Sequence, residues 1–183
     1  MTSVHRNVGG ASVPRPSAPH SANLRIHRRT EAGFAYFVTK CIRPPKPVLG
    51  VEERAVVVSA LRHAVGSQRI ILAAFVVMPD YWHALIGLLE GWTLPRLMHS
   101  VMSFVGAKTR AAFVAHGCEW QDGYYETWIR SGKQFDYVAH YIAGNPVRKQ
   151  LVERPELWDA TSLHTPDLVT EPWPCEFERG LIQ

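Results

Sequence analysis

Residues 81–83 read Tyr-Trp-His, and on an extended strand the first and third of three residues face one way while the middle one faces the other. Tyr81 and His83 therefore share a face, and Trp82 packs into a core behind them. Tyr141 and Asn145 stand four residues apart, which places both on one side of a helix if the helix runs through them. On residue type alone these positions stay open. His83 beside Trp82 also reads as a packed histidine, and Tyr141 with Asn145 as a buried tyrosine and a helix cap ahead of Pro146. Gln121, Arg130, Arg148 and Lys149 are candidates for nucleic-acid contacts, because Arg and Lys bring charge to phosphates and Gln can pair with adenine edges. Trp120, Tyr124 and Tyr125 are of the type that stacks on unpaired bases, although aromatic residues on strands also fill cores. His140 adjoins Tyr141, but neighbours on a helix point about 100° apart, so it does not serve the same site.

Such residues need elements to hold them. Residues 34–39 (FAYFVT) are aromatic and β-branched and predict a strand, after which Pro44, Pro45 and Pro47 break the chain. Between 51 and 66, Ala55, Val58, Leu61, Ala64 and Val65 recur at helical steps. The apolar run 70–77, the Pro79-Asp80 turn and the apolar stretch 82–88 predict a strand pair. Leu94, Leu97, Met98, Val101 and Val105 form the stripe of a helix over 93–116, capped near Thr93, whose polar side carries Arg96, Lys108 and Arg110. A strand over 124–129 and a helix over 135–143 follow, with Gly144-Asn145-Pro146 as its terminus and a short helix restarting at Val147. This order predicts a single α+β domain, a ferredoxin-like antiparallel sheet with helices packed on it.

A chain of 183 residues, 46% hydrophobic, buries one core and not two catalytic domains. Its longest apolar run, 70–78, is nine residues, well short of the roughly 20 that span a bilayer, so no membrane partner is expected. The first residues lack the apolar segment of a secretory leader, which points to the cytoplasm. Cys41, Cys118 and Cys175 form no CxxC pair and read as ordinary buried thiols. The net charge of +4 hides a gradient: eight Lys/Arg against one acid up to Val48, and two against seven from Glu153 on. Residues 1–32, with Arg25, Arg28 and Arg29, are therefore expected as a flexible basic arm suited to a phosphate backbone, 33–152 as the folded domain, and 153–183 as an acidic tail.

The segment Val76-Val77-Met78-Pro79-Asp80-Tyr81-Trp82-His83-Ala84-Leu85 resembles the active-site strand of the REP-associated tyrosine transposases, IS200-like members of the single-tyrosine HUH superfamily. Trp120-Gln121-Asp122-Gly123-Tyr124-Tyr125 with Ile129-Arg130, and Tyr141-Ile142-Ala143-Gly144-Asn145-Pro146-Val147-Arg148, resemble two further blocks of that family. With the strand near Val38 the resemblance spans about 34–152. It implies a transposase-like, DNA-binding HUH endonuclease acting in DNA recombination and transposition on single-stranded or hairpin DNA, namely repetitive extragenic palindromes, and residing with the nucleoid. It implies Tyr141 as the nucleophile that becomes joined to a 5′ phosphate, and His83 and Asn145 as ligands of Mg2+ or Mn2+. Lys108, Arg110, Gln121, Arg130, Arg148 and Lys149 would contact the DNA, bound by a monomer or a homodimer.

One departure stands out: Tyr81 occupies the place of the first metal-binding histidine. A neutral phenol, with an unperturbed pKa of roughly 10, is a poor ligand for a hard divalent ion, so metal affinity is expected to be reduced. The alternative is a domesticated hairpin-DNA-binding protein that keeps the fold and has lost its chemistry at Tyr81. An RNA-binding ferredoxin-like module would need a Gly-aromatic block on a strand, which is missing.

Overall fold

A computed structural model describes residues 32–43, 48–171 and 173. All but the end of the expected basic arm, the three prolines Pro44, Pro45 and Pro47, Cys175 and the last residues of the acidic tail lie outside the described residues. Within them the chain runs β1 (Ala35–Arg43), α1 (Val51–Gly66), β2 (Ile70–Val77), β3 (Tyr81–Leu88), α2 (Leu94–His116), β4 (Glu119–Trp120), β5 (Tyr125–Trp128), α3 (Gly132–Ala143) and α4 (Asn145–Arg148).

Strands β4 and β5 lie end to end along β1, with Trp120 opposite Ile42 and Tyr125 opposite Thr39. They act as one strand interrupted at 121–124. Counted so, the sheet order is β2, β3, β1, then β4/β5, antiparallel throughout. This is the ferredoxin-like plan expected from the sequence, with α3 added on the far face.

Strand alternation sorts the side chains into two layers. Tyr36, Val38, Trp82, Ala84 and Ile86 meet Leu61 of α1 and Leu97, Met98, Val101 and Val105 of α2. Ala35, Ala74, Val76 and Leu85 face the other way and meet Val138 and Ile142 of α3. Each large side chain buried there contributes about 1.5–3 kcal/mol. The sheet therefore divides the molecule, and residues 81 and 83 belong to the α3 side.

Boundaries moved where polar residues behave as structural ones. β1 runs on to Arg43 because Lys40, which reads as a strand end, is satisfied in place: its ammonium donates to the carbonyls of Gln121 and Gly123. α3 begins three residues before the expected Phe135, because the Ser131 hydroxyl accepts from the Gln134 amide and caps a turn that opens on Gly132. Strand β4 was not expected at all, two residues being too few to show a period. Cys41 and Cys118 are half-buried, not fully buried as expected.

Residues 153–171 lie against β2 and α1. Val77 donates to the Ala160 carbonyl, Ser162 to that of Phe75 and Thr170 to that of Leu72. Two acids of this acidic segment are tied down: Asp159 by Arg54, which also stacks over Trp158, and Asp167 by Arg62.

Candidate active site

β3 turns Tyr81 and His83 towards α3. His83 is only 6% exposed and pairs across the sheet with Thr39, whose hydroxyl oxygen lies 2.8 Å from the imidazole Nδ1 in a hydrogen bond. Three aromatic rings surround it, with centroids at 4.8 Å for Tyr81, 5.0 Å for Phe37 and 5.6 Å for Tyr141. Burial, followed by the charge of Arg148, pushes the imidazole down to about 3, so it is neutral.

Tyr141 reaches this site from the last turn of α3, its ring edge-on to Phe37 at 6.0 Å. The chain then turns at Gly144 into α4, whose second residue is Pro146, acceptable there because the first turn of a helix needs no amide donor. The break leaves Asn145 beneath Tyr141, 1% exposed, with its Oδ1 accepting from the Tyr81 hydroxyl at 2.6 Å. Its Nδ2 is buried without a hydrogen-bond partner among the described residues. Burial first, then Asp80 and Tyr141, raises the Tyr81 phenol well above its ordinary value, with Arg148 opposing. The Arg148 guanidinium stacks 3.9 Å above the Tyr141 ring and donates to the Tyr141 carbonyl at 3.1 Å, while the Lys149 ammonium lies 5.9 Å from the Tyr81 ring centre.

These residues do not fit a resident divalent ion. Mg2+ and Mn2+ favour several oxygen or imidazole donors, preferably anionic. One neutral imidazole is present, the Asn145 oxygen is taken by a phenol, and the phenol is held in its protonated form. Among the described residues no three His, Cys, Asp or Glu side chains converge.

The other sequence candidates divide by layer. Arg148 and Lys149 stand at Tyr141. Gln121 opens the interruption between β4 and β5, and its side chain donates to the Tyr125 hydroxyl at 3.0 Å. Tyr125 pairs with Thr39, which pairs with His83, so Gln121 belongs to the same face. Arg130 precedes α3 with its guanidinium 5.1 Å over Trp128. Lys108 and Arg110 are exposed on α2, whose apolar side packs on the opposite layer, and the fold does not bring them to Tyr141. His140 points along its own helix, bonded to the Asp136 carbonyl. Trp120 stacks on Phe113 at 5.1 Å and packs with Tyr124 against the core under α2, leaving Tyr125 as the member of that trio at the site. Sequence reading missed three residues. Thr39 and Phe37 stand on a different strand from His83 and gave no signal, because only the pairing of β1 with β3 brings them together. Lys40 gave one, an isolated lysine inside an apolar run.

A tyrosine carried on a helix against the same face of a ferredoxin-like sheet as a strand histidine defines the class of fold and site. The family model for IS200-like transposases matches residues 35–145, and the chain belongs to that family. The structure is similar to that of a REP-associated tyrosine transposase bound to a REP hairpin, with a TM-score of 0.63 and 21% identity over 81% of this chain and 89% of that one. A provisionally assigned transposase from Deinococcus radiodurans matches at a TM-score of 0.46 and 23% identity, over 59% of this chain and 87% of that one. No curated protein matches. No helix among the described residues is long and apolar enough to cross a membrane.

Proposed function

We propose that this chain binds hairpin-forming single-stranded DNA on the α3 face of its sheet, and that Tyr141 nicks and rejoins one strand through a 5′-phosphotyrosine. One observation carries the reading: the Tyr141 ring lies 5.6 Å from the His83 ring, although 58 positions separate them in sequence, with Arg148 stacked on the tyrosine. A nucleophile is thereby placed beside a cation suited to a phosphodiester. Hairpin DNA of the palindromic-repeat type is the substrate class because the similar transposase was solved on such a hairpin. Gln121 and Lys149 are its further contacts on this face, while Arg130, stacked over Trp128 of the opposite layer, and Lys108 and Arg110 on α2 would meet only DNA that wraps around the molecule.

The chain's own residues have separable tasks. Thr39 fixes the imidazole ring, Phe37 and His83 hold the Tyr141 ring at the sheet, and Arg148 and Lys149 attract the backbone. Storing the broken bond as a phosphotyrosine lets the released 3′ hydroxyl reverse the cut, so strands are exchanged without ATP.

A second reading is favoured by the Tyr81–Asn145 hydrogen bond, which occupies the expected metal position. In it the chain is a hairpin-binding protein without nicking activity. Incubation with a panel of labelled hairpin oligonucleotides, with and without Mn2+, followed by a denaturing gel, separates the two. The first reading expects a covalent band that Tyr141→Phe abolishes; tight binding with no band on any hairpin establishes the second.

A further inference from the structure

We infer that Arg148, assisted by Lys149, supplies the positive charge at the scissile phosphate that a divalent ion would otherwise provide, so that strand transfer by this chain is independent of metal. The inference rests on the reading of Tyr141 as the nucleophile.

Position carries it first. The guanidinium is 3.9 Å from the centre of the Tyr141 ring, and the phenolic oxygen lies only a ring radius and a bond from that centre. A phosphate in line with the hydroxyl is then within reach of the guanidinium. One of its five N–H donors is spent on the Tyr141 carbonyl, which fixes the group and leaves a fork for two phosphate oxygens.

Availability is the second observation. Arg43, Arg54 and Arg62 are each paired with carboxylates, whereas neither Arg148 nor Lys149 has an acidic partner among the described residues. Two free cations flank the two tyrosines, Lys149 at 5.9 Å from the Tyr81 ring.

The third is the sign of the buried amide. With its oxygen accepting from Tyr81, the orphaned atom of Asn145 is Nδ2, a donor. A donor suits a phosphate oxygen and opposes a cation. Beside Tyr81 the spare polar atom is thus an N–H, where a metal centre would need a lone pair.

The step balances without a further reactant. The Tyr141 oxygen forms a bond to phosphorus as the bond from phosphorus to the 3′ oxygen breaks. The phenolic proton passes to water, and the departing 3′ oxygen takes one up. The charge that builds on the non-bridging oxygens is met by the guanidinium.

The test uses the full chain and a labelled hairpin with a single-stranded flank, in EDTA and in Mn2+. The Tyr141 adduct is expected at the same rate in both. At saturating hairpin Arg148→Ala is expected to slow it about 100-fold or more, as loss of one donor to a developing oxyanion does, with a circular-dichroism spectrum equal to that of the wild type reporting an intact fold. Arg148→Lys, which keeps charge without the fork, falls between. The free-ion signal of Mn2+ in electron paramagnetic resonance is expected to be unchanged by the wild type and reduced by Tyr81→His. An adduct that forms only with metal, or one made by Arg148→Ala at the wild-type rate, overturns this inference and leaves Tyr141 as nucleophile. No adduct on a bound hairpin in any condition overturns both.

Discussion

Replacing Tyr81 by phenylalanine removes a single oxygen and keeps the ring against His83. That oxygen donates at 2.6 Å to Asn145, a side chain 1% exposed whose Nδ2 already lacks a partner among the described residues. Tyr81→Phe therefore leaves a buried amide with neither end satisfied, at a cost of about 1–3 kcal/mol. With a urea dependence of roughly 2 kcal/mol per molar, a loss near the middle of that range moves the unfolding midpoint down by about 1 M. The same argument sets the sign of a double variant. In Tyr81→Phe/Asn145→Leu both partners become apolar, no polar group is stranded, and most of the loss returns. Urea denaturation followed by tryptophan fluorescence reads all three proteins. A Tyr81→Phe midpoint equal to that of the wild type, or a double variant weaker than Tyr81→Phe, would refute the account of a dry, bonded amide at Asn145.

Three other expectations follow from the geometry. His83 titrates at about 3 when folded and near 6.5 when unfolded, so between those values only the unfolded chain takes the proton. Its contribution is complete above pH 6.5 and is lost on acidification at up to about 1.4 kcal/mol per pH unit, a slope that His83→Asn should reduce in pH-dependent melts. Lys40→Met removes the donor to the carbonyls of Gln121 and Gly123, and should cost about 0.5–1.5 kcal/mol and weaken hairpin binding by loosening the 121–124 interruption, measured by melting and by gel shift. Arg54→Ala removes both the Asp159 pair and the stacking on Trp158, and should cost about 1–2 kcal/mol and speed amide exchange across 155–170, while leaving hairpin affinity unchanged.

Where burial follows period, the chain announces its fold. The helix over 51–66 carries apolar residues at helical steps and the strand over 70–77 is a short apolar run closed by the Pro79-Asp80 turn, and both appear with the expected limits. The candidate site was legible as types and spacings: Tyr81 and His83 by strand parity, Tyr141 and Asn145 by their helical interval. That they meet is a property of the sheet order, which no local pattern encodes. The role of Tyr81 was legible only in part. A phenol in place of an imidazole signals a weak ligand, but its hydrogen bond to Asn145 is a tertiary fact. Lys40 was read past because a lysine in a strand ordinarily ends burial, and here carbonyls exposed by a two-stranded break satisfy it. The acidity of residues 153–171 reads as that of a solvated tail, because the arginines that neutralise Asp159 and Asp167 lie 105 positions away.

The cover that these later residues give to β2 also guards against self-association. Ile70–Val77, with the sequence IILAAFVV, holds no charge, proline or glycine, and its rim would offer an open ladder of amides and carbonyls to another copy of itself. Ala160, Ser162 and Thr170 occupy that ladder from within the chain. A protein cut back to Val152 would keep every catalytic candidate and lose this guard, exposing a ready template for intermolecular β-pairing and precipitation.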